Sequence, residues 1–313
     1  MEKKILITGG AGFIGSHLAN YYHKKNFKIY IIDNLSTGFK SSLIKKFIFI
    51  NKNCEDKSLL KDLKGINFYC IYHLAGQSSG EYSFYRPFED FSSNLAGTLN
   101  IINICLQTKN KRIIFSSSMS VYGNSLKAVS EKDYCNPKSF YGLSKLSAES
   151  YLNFFSKKGI NHTILRFFNV YGPGQNFDNR LQGMVSIYLE QALRNKNIII
   201  KGSKDRFRDF IYIDDVIDII SKVTNNENSI NQIFNVGTGK KIKVSELIEL
   251  IKKQLKIDKK NIKYFKQGTP DDTHGIYANN YKIRKTINKK NFISLNDGIK
   301  KTLKKEMTRL LVD

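Results

Sequence analysis

The sequence predicts an α/β fold built on a doubly wound parallel sheet, and three observations carry that prediction. Short apolar, β-branched runs recur at 4–8, 28–32, 47–50, 68–74, 112–116 and 163–167, and each reads as a buried strand. Between them, stretches starting at Phe13, Ser92 and Phe140 carry apolar residues at helical spacing. A glycine-rich turn sits where the first strand should pass into the first helix. Strands that alternate with helices need right-handed crossovers, which gives a parallel sheet covered on both faces.

After about Val170 the alternation loosens into the Gly/Pro/Asn-rich stretch YGPGQNFDNR. A helix near 184–193 and short strands at 198–200, 210–213 and 233–236 follow. The expected division is a Rossmann-like cofactor domain over 1–170 and a smaller substrate-binding region over 171–313, with segments near 208–216 and 232–237 returning to the main domain. No repeat, low-complexity tract or long linker separates the two.

With 313 residues the chain can bury a full core without staples. Its four cysteines, Cys54, Cys70, Cys105 and Cys135, form no CxxC pair, so their spacing points neither to zinc nor to a redox motif. The start MEKKILITGG lacks the apolar core of a signal peptide. The scattered cysteines make a reduced cytoplasm the expected location, and no segment approaches the roughly 18 apolar residues of a membrane span. A formal charge of +24 raises nucleic acid or an anionic membrane as partner, but the lysines are scattered as pairs rather than gathered with aromatics. The expectation is therefore no nucleic acid and no membrane, with a basic surface that favours anionic substrates.

Gly9-Gly10-Ala11-Gly12-Phe13-Ile14-Gly15 follows a strand and opens a helix. Residues without Cβ let the backbone approach a pyrophosphate, and the free N–H groups and dipole of the helix N-terminus favour its charge. Asp33 ends the second strand, where a carboxylate meets the adenosine ribose hydroxyls and repels a 2′-phosphate. The following Asn34-Leu35-Ser36-Thr37-Gly38 brings no arginine, although Lys40 lies near, so NAD is expected over NADP.

Tyr141 and Lys145 stand four apart at the start of an amphipathic segment, so a helix puts both on one face. Upstream, 115–123 reads as a strand ending in hydroxyls at the carboxyl edge of the sheet, where ligands bind. Tyr with a pKa of about 10 is a poor base at neutral pH. A Lys ammonium ~4 Å away at an effective dielectric near 20 stabilises the phenolate by about 4 kcal/mol, or about 3 pKa units, before desolvation subtracts from it. Such a pair can deprotonate a sugar hydroxyl.

Taken together, TGGAGFIG at 8–15, IIDNLSTG at 31–38, HLAG at 73–76, FSSSMSVYG at 115–123, YGLSK at 141–145, RFFNVYGPG at 166–174 and RDFIYIDD at 208–215 resemble the extended short-chain dehydrogenase/reductases, in particular the nucleotide-sugar 4-epimerases. The likeness runs from residue 3 to about 280. It implies NAD as cofactor and a UDP-hexose as substrate, inverted at C4 through a 4-keto intermediate. Tyr141 becomes the base, Lys145 its activator and Ser118 the hydroxyl that orients the sugar. Serines at 116–118 alternate faces on a strand, and the family pattern favours the third. The resemblance places Gly9, Gly12, Phe13, Ile14, Gly15, Asp33, Asn34, Ser36, Gly38, Asn53, Cys54, Leu74, Ala75, Gly76, Asn94 and Ser116 on the cofactor side, with Phe168 beside the nicotinamide. Asn169, Arg208 and Lys266 are assigned to the sugar nucleotide. Asn53-Cys54 replaces the usual Asp-Ile or Asp-Val against adenine, and Lys266 stands where an arginine often grips the diphosphate with a bidentate fork.

Dehydratases of this family carry Asp-Glu after the Thr in the loop that here reads Ser118-Met119-Ser120, and decarboxylases tend to keep a glutamate there. Neither carboxylate is present at those positions. Net oxidation or reduction at the sugar carbon uses the same residues and stays open, while a non-catalytic NAD sensor tends to lose the Tyr or Lys that are both kept here. The family's dimers pair two helices from each subunit. The corresponding stretches, 92–107 and 140–155, hold enough apolar positions for an inner and an outer face, so a two-fold homodimer is expected.

Overall fold

Seven strands form one parallel sheet among the described residues of the computed structural model, which are 2–43, 46–179, 183–265, 267–268 and 274–310. They are β1 (Lys4–Thr8), β2 (Lys28–Ile32), β3 (Ile48–Ile50), β4 (Cys70–His73), β5 (Arg112–Ser118), β6 (Asn161–Phe167) and β7 (Gln232–Val236). Their order is β7-β6-β5-β4-β1-β2-β3 with every pairing parallel. The order reverses between β1 and β4, which opens a crevice at the carboxyl ends of the strands.

Alternating side chains build a core on each face. Ile5, Ile7, Ile29, Ile31 and Tyr72 join Leu18, Ala19 and Tyr22 of α1 (Phe13–His23) and Val216 and Ile220 of the helix Ile213–Thr224. On the other face Leu6, Tyr30, Ile32, Ile71 and Phe115 join Ile101 and Ile102 of α2 (Gly97–Leu106) and Ala148 and Leu152 of α3 (Phe140–Phe155). Burial on both faces explains why these strands read as continuous apolar runs.

Boundaries differ from expectation in instructive places. The fourth strand opens at Cys70 rather than 68, although the Tyr69 N–H still reaches the Lys4 carbonyl at 2.7 Å. The fifth runs on to Ser118 because its serines stay in register with Leu165, Arg166 and Phe167 of β6. The helix expected from Ser92 starts earlier, at Pro87–Phe91, because proline at the first helical position costs no hydrogen bond. It passes through a π-helical turn, Ser92–Ala96, before α2.

Beyond β6, the strand Asn169–Tyr171 pairs with Phe210–Tyr212, and Ile213, expected to close that strand, begins a helix. The expected helix spans Met184–Asn195, and Ile198–Lys201 pairs with Ile262–Phe265. The four cysteines are free thiols. Among the described residues no helix is long and apolar enough to cross a membrane.

Candidate active site

The turn after β1 is shaped by close approach. Gly9 has φ +67°, and a Cβ on it would stand 2.7 Å from the Ala75 nitrogen. One on Gly15 would lie 2.1 Å from the Gly9 carbonyl oxygen, so only glycine lets α1 start flush against the turn. Gly12 is the N-cap of α1 and has no side chain to offer. The first N–H groups of the helix, at Phe13 and Ile14, which no helix pairs internally, therefore get no side-chain cap from it.

Asp33 is buried at the end of β2, and its carboxylate accepts the Ala11 N–H at 2.9 Å and the Leu35 N–H at 2.8 Å. The next loop folds over the glycine turn: the Phe39 N–H donates to the Ala11 carbonyl at 3.2 Å, bringing Gly38 alongside. Asn34 accepts from the Ser36 N–H at 3.0 Å and donates to Asn53 Oδ1 at 2.8 Å. These residues form one rim. Cys54 instead points inward, where a Cβ on Gly97 would stand 3.1 Å from its own, and burial pushes its thiol up to about 12.

Leu74, Ala75 and Gly76 leave β4 just after His73. Burial pushes His73 down to about 3, so its ring is neutral. The Thr98 hydroxyl donates to the Asn94 carbonyl, so His73 Nε2 donates to Thr98 Oγ1 at 2.9 Å, and Nδ1 accepts from the Thr8 hydroxyl at 2.7 Å. This chain, which ties β1, β4 and α2 together behind the crevice, was visible in the sequence only as part of HLAG.

Ser139 caps α3, accepting the Gly142 N–H at 3.2 Å. That fixes the first turn, where Tyr141 and, four residues on, Lys145 lie buried on one face. Lys145 is 3% exposed, and burial lowers it to about 8. Its Nζ lies 5.0 Å from the centre of the Phe115 ring. A Cβ on Gly76 would stand 3.1 Å from Lys145 Nζ and 2.3 Å from Asn94 Oδ1, which places three segments of the chain at one point. Asn94 sits in the π-helical turn, and its Oδ1 is buried with no hydrogen-bond partner among the described residues. The three serines separate as alternation requires. Ser116 donates to the His73 carbonyl at 3.1 Å, Ser117 donates to Glu149, and Ser118 accepts the Ser120 N–H at 3.1 Å at the strand end.

Phe168 is buried, its N–H donating to the Val236 carbonyl at 3.0 Å. The Asn169 amide donates to the Asp209 carbonyl at 3.3 Å. Arg208 is buried rather than solvated, with Nη1 donating to the Phe207 carbonyl at 2.8 Å. Its neighbour Asp209 accepts from the N–H groups of Thr238, Gly239 and Ala278 at 2.8, 2.9 and 3.1 Å, and so ties its own segment to the loop at 238–239 and to the strand Tyr277–Ala278. Lys266 lies outside the described residues.

A helix N-terminus at the turn, the Asp33 carboxylate at the end of β2 and an unpartnered buried amide oxygen beside Lys145 fit a dinucleotide lying along the carboxyl edge.

Known proteins share this fold. A UDP-glucose 4-epimerase from Thermotoga maritima, solved with UDP-glucose, superposes with a TM-score of 0.93 at 31% identity, covering 98% of this chain and 99% of its own. The Thermus thermophilus UDP-glucose 4-epimerase in complex with NAD gives a TM-score of 0.88 at 26% identity, covering 96% and 98%. UDP-glucuronate 4-epimerase 4 of Arabidopsis thaliana is 31% identical over 328 residues, which cover 95% of this chain and 74% of that protein. Nucleotide-sugar decarboxylases and a dehydratase are also among the matches. The profile of the NAD-dependent epimerase/dehydratase family matches residues 5–237, and the chain belongs to that family.

Proposed function

We propose that the protein inverts C4 of a UDP-hexose, glucose/galactose or their N-acetyl forms, with Tyr141 as the base, Lys145 as its activator and Ser118 orienting the sugar hydroxyl. The observation that carries this reading is the buried Tyr141 and Lys145 on the first turns of α3, beside a β5 that ends in Ser118. The turn Met119–Val121 that follows holds no carboxylate, so the acid and base that elimination of water needs are missing from it. This favours epimerisation over the dehydratase chemistry found in the family. NAD supplies the hydride acceptor and donor at C4. Gly9, Gly12, Phe13, Ile14 and Gly15 would hold its pyrophosphate, and Asp33 with Asn34, Ser36, Gly38, Asn53 and Cys54 its adenosine half. Leu74, Ala75, Gly76, Asn94, Ser116 and Phe168 would line the nicotinamide half. Tyr141 takes the O4 proton and later returns it, while Lys145 keeps the phenolate within reach at neutral pH. Asn169, just after β6, would receive the sugar nucleotide together with Arg208 and Lys266 from the C-terminal region. The assay is interconversion of UDP-glucose and UDP-galactose, and of the N-acetyl pair, followed by NMR; GDP- and CDP-sugars serve as controls.

The same proposal includes a two-fold homodimer. Phe140, Leu143, Tyr151 and Phe154 are exposed along α3, and Phe84, Tyr85, Phe88 and Phe91 along the helices before the π-helical turn, with Phe88 87% exposed. Phe84 and Phe140 touch, at 6.0 Å between ring centres, so the two stripes make one apolar face. This face begins earlier than the expected stretch from Ser92. Apolar patches of this kind mark interfaces. Light scattering of the wild type should give the dimer mass, and the double variant Phe88→Asp/Leu143→Asp the monomer mass. A monomeric wild type would remove this part of the proposal.

A further inference from the structure

Lys145 acts on Tyr141 only as an ammonium ion, yet burial works against that charge. The groups that face it come from several elements. Cys54, from the loop after β3, is held as a neutral thiol by its burial, and His73, from β4, is a neutral ring. Glu149, four residues along α3, is already bound to Arg166 at 2.6 Å. Phe115 offers only its ring face. Tyr141 is the group on which Lys145 acts. That leaves Asp90, from the helix Pro87–Phe91, as the carboxylate opposite Lys145 with no arginine or second lysine of its own among the described residues.

Asp90 is buried, and its Oδ1 accepts from Asn94 Nδ2 at 3.0 Å and from Gln77 Nε2 at 3.2 Å. A carboxylate only accepts, so it draws the NH₂ side of the Asn94 amide toward itself and turns Oδ1 the other way. That oxygen is the unpartnered one, next to Gly76 and Lys145 Nζ. The π-helical turn places Asn94 four residues beyond Asp90 on the same side of the helix. We propose that Asp90 is a positioning residue for the proton-transfer pair: its carboxylate aims the Asn94 carbonyl into the cofactor crevice and is the counter-charge of the buried Lys145. This rests on the reading of Tyr141 and Lys145 given above. The charge of Asp90 works against the desolvation that lowers Lys145, and burial in turn raises the Asp90 carboxyl.

The sign follows directly. The negative charge of Asp90 raises the Lys145 midpoint, so Asp90→Asn, which keeps an acceptor for Asn94 but removes the charge, lowers that midpoint below about 8. Turnover should then fade at lower pH on the alkaline side while staying near wild type at pH 6. A downward move of about one pH unit is expected, and with it about a tenfold loss of turnover above the midpoint.

The experiment follows Lys145 by ¹³Cε NMR titration of the full-length protein, with the signal assigned by Lys145→Arg, alongside kcat and KM against pH. Asp90→Glu restores the carboxylate and serves as the rescue, and also covers failure of Asp90→Asn to fold. A lowered Lys145 midpoint and alkaline limb in Asp90→Asn, both recovered in Asp90→Glu, support the proposal. An unmoved Lys145 midpoint overturns it, including where kcat falls equally at every pH, as a merely structural residue would cause. If the midpoint moves but the rate profile does not, the charge coupling stands and the proton-transfer role of Lys145 is what fails.

Discussion

Replacing Tyr141 by phenylalanine should lower kcat by at least about a hundredfold, the share that general-base catalysis supplies, with little change in sugar-nucleotide KM or NAD affinity. The side chain is buried on the first turn of a helix whose start is fixed by the Ser139 cap, so loss of one oxygen changes the packing little. What disappears is the atom proposed to take the proton. Lys145→Ala should be similarly severe near neutral pH, and its deficit relative to the wild type should narrow above about 8, where Lys145 itself gives up its proton. Stopped assays of interconversion, with cofactor binding followed by fluorescence, separate the two quantities. Retention of more than about a tenth of the wild-type rate by Tyr141→Phe would remove Tyr141 from the role of base.

The second large effect concerns stability. Arg166 of β6 holds Glu149 of α3 through both oxygens, Nε to Oε1 at 3.0 Å and Nη2 to Oε2 at 2.6 Å. Ser117 of β5 donates to the same carboxylate. Arg166 Nη1 also donates to the Tyr122 hydroxyl at 2.8 Å, which in turn donates to Asn235 Oδ1 of β7 at 2.7 Å. Both charges are buried, at 4% and 2% side-chain exposure. Glu149→Gln leaves the guanidinium without its counter-charge, and breaking a buried pair in this way costs about 3–5 kcal/mol. Urea unfolding should show that loss as a lower midpoint at nearly unchanged slope. Glu149→Leu/Arg166→Met, which removes both charges, should recover much of it. A loss under about 1 kcal/mol for Glu149→Gln would mean that water or another group already shields the pair.

The network also shows where sequence reading reaches its limit. β1 and β2 were legible to the residue because each is an uninterrupted apolar run closed by a turn residue, Gly9 or Asp33. The placement of the glycine turn, Asp33, Tyr141, Lys145 and the serine-ended strand was legible because it depends on local spacing. Glu149 drew no notice and Arg166 entered only as the first residue of RFFNVYGPG, since only the stacking of α3 on β5 and β6 makes them partners. The same holds for His73 with Thr8 and Thr98, which are separated by 65 and 25 positions. Asp90 was invisible for a different reason. Its meaning depends on a helix that starts at Pro87 and on a π-helical turn that aims Asn94, and periodicity alone marks neither feature.

The most direct measurement of the proposed chemistry uses a UDP-hexose deuterated at C4, incubated with the enzyme as purified and no added cofactor, with C4 stereochemistry and label followed by NMR. A single base and a bound 4-keto sugar with no net redox change require the removed label to come back to C4 on the opposite face. The predicted result is inverted sugar that still carries its deuterium at C4. Deuterium lost to water, or a 4-keto product formed with stoichiometric NADH and no inverted sugar, would contradict it.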